Sequence, residues 1–128
     1  MRISTIESSH LIEWINFVSS ELHGKHLAAI FGRTVPDPVK IRARASIDQP
    51  LAIIAKALEG REVLIGDRFT VADAYLFWAL FAAPHGGAPI DAWPTLTAYV
   101  ERHRKRASIQ TALSVEGPRY LKETQAAA

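Results

Sequence analysis

A chain of 128 residues with 48% apolar side chains is long enough to bury one core and short for two full domains. Fifteen basic against thirteen acidic residues leave a net charge of only +2, which gives no cationic surface built for a polyanion, and the absence of cysteine excludes disulfides, thiolate metal sites and a cysteine nucleophile. The longest apolar stretch, around residues 74–83, falls far short of the roughly 20 residues a membrane span needs, and the N-terminus lacks the apolar centre of a signal peptide. The expectation is a soluble, cytoplasmic protein with neither nucleic acid nor membrane as its partner.

Taken in chain order, Leu11, Trp14, Ile15, Val18, Leu22, Ala29 and Ile30 recur at three- and four-residue intervals. That spacing predicts a helix from His10 to Phe31, capped by Ser8 or Ser9, with Gly24 bending or loosening it near His23. Gly32 to Pro38 reads as a loop, because a residue before proline is pushed out of helical geometry. A second helix is predicted from Val39 to Glu59, burying Ile47, Leu51, Ile54 and Leu58 and stopping at Gly60. Pro50 should kink it or break it, with Asp48 capping the new start.

The strongest local signal is Gly66 to Phe77, where Thr70 and Asp73 have the spacing of a helix capping box. The box assigns both residues a structural role: the hydroxyl faces the amide of residue 73, and the carboxylate reaches back to the amide of Thr70. The following run to Ala83 is apolar on every side, which predicts the buried central helix of the domain. Pro84 to Pro89 is a turn; His85-Gly86-Gly87 is no phosphate loop, since no strand precedes it and no Gly-Lys-Ser/Thr follows. Trp93-Pro94 announces a helix with Leu96, Tyr99 and Val100 inside, and a short last helix runs from Ala107 to Val115, stopping at Gly117-Pro118. The tail over residues 123–128 is expected to fray. No alternating strand pattern appears, so the fold class is all-α: one domain over 1–128, an orthogonal bundle of about five helices around the one that starts at Thr70.

Few side chains suggest chemistry on their own. His23 and His26 lie three apart on the first helix with Glu21 nearby, but no third ligand is evident, and a metal site is not assigned. The cations of Arg102-His103-Arg104-Lys105-Arg106 sit at the end of a helix, where the dipole stabilises them, and read as a solvated terminus. Trp14, Trp78, Trp93, Tyr75, Phe77 and Phe81 fall in helical apolar patterns that for most of them indicate core packing or a buried subunit contact ahead of a ligand box.

Three stretches together resemble the helical domain of bacterial beta-class glutathione transferases: Leu11 to His23, Gly66 to Phe77, and Trp93 to Tyr99. The resemblance covers nearly the whole chain in order, and implies a C-terminal, glutathione-transferase-like fold whose thioredoxin-like companion holds glutathione and the reactive cysteine. It also implies a histidine near the glutathione sulfur at His23, and glutathione contacts, some across a dimer, at Asn16 and Glu21. The sequence departs from the family pattern at Gly24, where lysine is common, and at Ala82, near which an aromatic residue faces the substrate pocket.

The chain begins where that helical domain begins. It is therefore expected to act as a binding and dimerisation module without conjugation of its own, with no confidently assigned catalytic residue and no cofactor held by the chain alone. Its implied partners are a second copy or a thioredoxin-like domain, with glutathione entering through the latter. The alternative is a fragment or split half of a glutathione transferase that conjugates hydrophobic electrophiles once a thioredoxin-like domain is supplied. A third reading has the apolar wall left open by that domain take a small hydrophobic ligand.

Overall fold

The computed structural model describes residues 4–126, with side chains through Glu116. Helix α1, Thr5–Phe17, opens on Ser4, whose hydroxyl accepts from the Glu7 amide at 3.1 Å while the Glu7 carboxylate accepts from the Ser4 amide at 3.2 Å. This reciprocal box displaces the expected caps Ser8 and Ser9, which have Leu11 and Ile12 three residues on and no carboxylate to return the bond.

The same rod continues through a π-helical segment, Val18–Leu27, into a last α-helical turn, α2, Ala28–Phe31. The loosening expected at Gly24 is this widening. A β-carbon on Gly24 would stand 3.0 Å from the Ser19 carbonyl oxygen, so the turn closes tightly on a residue without a side chain. His26, buried beneath it, donates from Nδ1 to the Glu21 carbonyl and accepts at Nε2 from the Ser46 hydroxyl at 3.1 Å. One imidazole thus satisfies a carbonyl within the wide turn and fastens it to the next rod.

That rod is α3, Asp37–Ser46, and α4, Asp48–Ala57, which meet at Ile47. Asp37 and Pro38 belong to the first turn of α3 and not to the preceding loop, since proline needs no amide proton there. The predicted break occurs, but Ile47 takes the cap position and Asp48 lies inside the helix; Pro50 is accommodated in the first turn of α4. Ile47, Leu51, Ile54 and Leu58 are all buried, as their spacing requires. Gly60, at φ 69°, turns the chain away in the left-handed region that favours glycine.

Helix α5, Val71–Ala82, crosses the middle of the domain. Leu76, Phe77, Ala79 and Leu80 pack there against Val18, Leu22 and Leu27 of the first rod, Leu51 and Ile54 of the second, and Leu96 and Tyr99 of α6 in one continuous core. Helix α5 is not enclosed on every side, however. Val71 and Trp78 are 62% and 41% exposed, and Tyr75 and Ala82 are half-buried between and beyond them. Residues 71, 75, 78 and 82 recur at helical spacing, so the all-round apolar pattern reflects three packed sides and one open apolar stripe.

A 3₁₀ turn, Ala83–Gly86, leads towards α6, Pro94–Arg104, and then α7, Ala107–Ala126. The expected stop at Gly117-Pro118 does not occur, because proline deletes one rung of a helical ladder without forbidding helical φ, and the backbone stays helical to Ala126. Of the tail, residues 127–128 lie outside the described residues. Grouped as rods, Thr5–Phe31, Asp37–Ala57, α5, α6 and α7 make the all-α bundle of about five helices, with no strand among the described residues. Nor is any described helix long and apolar enough to cross a membrane.

Candidate functional site

His23 projects from the π-helical segment onto the open stripe of α5. Its Nδ1 lies 2.7 Å from the Tyr75 hydroxyl, and its ring stands edge-on to Trp78 with centroids 5.0 Å apart. Tyr75 and Trp78, three residues apart on α5, complete the cluster at 6.1 Å. The imidazole is half-buried and Trp78 is 41% exposed, so a polar group is set into an apolar wall that faces partly outward.

The three residues implied by resemblance do not converge on one another. The Glu21 carboxylate is engaged by Lys25 Nζ at 2.9 Å, one turn on, and Asn16 is exposed, its carbonyl accepting from the Ser20 hydroxyl at 2.8 Å. His23 alone meets α5. His26, the other half of the sequence-level histidine pair, has both ring nitrogens committed to Glu21 and Ser46. Among the described residues no three His, Cys, Asp or Glu side chains form a metal-binding group.

Thr70 and Asp73 close the capping box at the start of α5: the Asp73 Oδ2 accepts from the Thr70 amide at 3.0 Å and its hydroxyl at 3.3 Å. The fully buried carboxylate does more than cap. Its Oδ1 accepts from the Leu64 amide at 3.0 Å and the Tyr99 hydroxyl at 2.8 Å, joining the 63–65 loop, α5 and α6 at one point. Burial first, and then the negative charge of Asp73, hold the Tyr99 phenol far above its ordinary pKa, so it remains a donor.

In the basic run at the end of α6, Arg104, Lys105 and Arg106 are exposed, as a solvated terminus requires, while His103 belongs to the scaffold. His103 is buried; Nε2 donates to the Glu62 carbonyl at 2.7 Å, and Nδ1 accepts from Arg106 Nε at 2.9 Å. The Arg106 guanidinium lies 4.2 Å above the Phe69 ring, and Arg102 also reaches the Glu62 carbonyl at 3.2 Å. Burial, and to a lesser degree Arg106, push the His103 pKa below its ordinary value, against the pull of the Glu62 carbonyl.

Sequence reasoning missed Tyr75 and Trp78 as partners of His23 by placing both in packing. It missed the His103 latch by treating the basic run as one block, although Leu96, Tyr99 and His103 share a helical face. Two shallow cavities lie away from His23. One of about 250 Å³ is lined by Phe81, His85 and Val100 among others, and one of about 220 Å³ by Leu11, Arg68 and Phe69 among others.

Comparisons with known proteins agree with this architecture. Residues 17–107 match the family model of the glutathione S-transferase C-terminal domain. The chain is 33% identical over 115 residues to Glutathione S-transferase GstA of Escherichia coli O157:H7, covering 90% of this chain and 57% of that protein. It superposes on BphK, a bacterial GST solved as a ternary complex, with a TM-score of 0.83 at 35% identity, over 91% of this chain and 57% of the other. The bacterial beta-class glutathione S-transferase of Sphingomonas chungbukensis gives 0.83 at 34%, over 91% and 58%. The chain thus spans a little over half the length of each of these relatives. On the strength of the family match and the shared fold, the chain belongs to the glutathione S-transferase C-terminal domain family.

Proposed function

We propose that this chain is the helical half of a glutathione-transferase-type site: a binding and dimerisation module that completes a glutathione site when a thioredoxin-like domain docks on it, and that does not conjugate by itself. The observation that carries this reading is the stripe of Val71, Tyr75 and Trp78 left open on an otherwise packed α5, with His23 set into it. Apolar surface of this kind is stabilised when another domain covers it. In that arrangement His23 is the polar group nearest the glutathione sulfur, and Asn16 and Glu21 contact glutathione from the exposed side of the first rod. The chain has no cysteine, so the reacting thiol comes from outside it. For self-association, α1 offers a thirteen-residue helix with no buried residue and with Ile6 and Ile12 exposed.

Assaying the purified chain with glutathione and a chlorinated aromatic electrophile tests the reading directly. The expected result is no turnover above the uncatalysed rate for the chain alone, and turnover on addition of a separately expressed thioredoxin-like, glutathione-binding domain. Turnover by the chain alone, or none with the added domain under conditions where the two bind, would overturn it.

A further inference from the structure

The contact between His23 and Tyr75 has a direction. A phenol is the stronger donor and an imidazole nitrogen the stronger acceptor of the two groups, so the favoured arrangement at 2.7 Å is Tyr75 O–H donating to the lone pair of Nδ1. Nδ1 is then unprotonated in the neutral ring, and the single imidazole proton resides on Nε2. Among the described residues Nε2 makes no hydrogen bond. Because no buried side-chain nitrogen or oxygen among the described residues lacks a partner, Nε2 reaches the surface, beside the exposed Trp78 ring.

We propose that Tyr75 is a positioning residue that fixes His23 as the Nε2–H tautomer, presenting one N–H donor on the open face of α5 to an anionic or lone-pair acceptor such as a thiolate sulfur. The inference rests on the reading of His23 as the polar group of the site, and it adds what that group offers: a donor, not a base. No proton is transferred in this role. The donor stabilises negative charge on the acceptor, while Trp78, edge-on at 5.0 Å, limits rotation of the ring. The phenol touches neither sulfur nor electrophile and acts through the histidine alone.

Nitrogen-15 NMR of the imidazoles, recorded on the full chain near pH 8.5 where imidazoles are ordinarily neutral, reads the tautomer without any assay of conjugation. Comparison with His23→Gln assigns the His23 signals. The expected spectrum shows a pyrrole-type Nε2 and a pyridine-type Nδ1, and Tyr75→Phe shifts the Nδ1 resonance and admits the second tautomer. A protonated Nδ1 in the unaltered chain overturns the proposal, with no dependence on how the variant folds. An Nδ1 resonance left in place in a Tyr75→Phe protein whose circular dichroism matches the parent also overturns it. Because no glutathione or partner domain is present, failure here is separate from failure of the conjugation assay.

Discussion

At the scale of single residues, Asp73 is the side chain whose loss the domain tolerates least. Its carboxylate, fully buried, satisfies two backbone amides and a phenol, so removal leaves both amides without their acceptor and the phenol with only the Asp73 carbonyl at 3.2 Å. A surface cap replaced by alanine costs about 1 kcal/mol. Asp73→Ala is expected to cost about 3 kcal/mol, a fall in Tm on the order of 10 °C by calorimetry. His103 gives the fold a pH dependence whose sign follows from its surroundings. Its pKa in the folded chain lies below the ordinary 6.5, so as pH falls the unfolded chain takes up the proton first. The stability it confers is intact above about pH 6.5 and is lost as pH falls from there through the folded value. Urea midpoints should therefore drop between pH 7.5 and pH 5.5, and His103→Gln should flatten that drop. Tyr99 acts at the other extreme: its phenol stays protonated in the fold while the unfolded one ionises near pH 10, so stability declines above that pH.

At the scale of elements, much was legible because periodicity reports burial. The stripe of Ile47, Leu51, Ile54 and Leu58, the Thr70 start of α5 and the Trp93-Pro94 entry to α6 follow from spacing and capping chemistry alone. What was not legible depends on neighbours remote in sequence. An apolar pattern around α5 cannot distinguish a fourth packed side from an open one, and nothing local to residue 103 reveals the Glu62 carbonyl 41 positions away. Helix starts failed where two caps competed: Ser4 wins because Glu7 returns its bond. The 3₁₀ turn supplies a test at this scale. A β-carbon at Gly86 would meet the Ile30 Cγ2 at 2.5 Å and the Phe31 Cζ at 3.0 Å, and Ile30 is buried and cannot yield freely. Gly86→Ala should destabilise the domain by about 1–3 kcal/mol, seen as a lower urea midpoint with an unchanged m-value.

For the whole molecule, the core and the face proposed for self-association are different surfaces. The core runs through all five rods, so Leu51→Ala should cost about 2–5 kcal/mol in denaturant unfolding. Ile12, 60% exposed on α1, contributes little to that core, and Ile12→Glu is expected to leave Tm nearly unchanged while weakening the self-association measured by sedimentation. The wide turn in the first rod bears on how these surfaces are oriented. A regular helix advances about 100° per residue, so inserting or deleting one position rotates everything beyond it by that angle. The widened stretch between Val18 and Leu27 absorbs such an offset within a continuous rod, and so serves as a phase adjuster. Trimming one residue from it would change the phase between α1 and the residues beyond the turn, the buried Leu27 and Ile30 included.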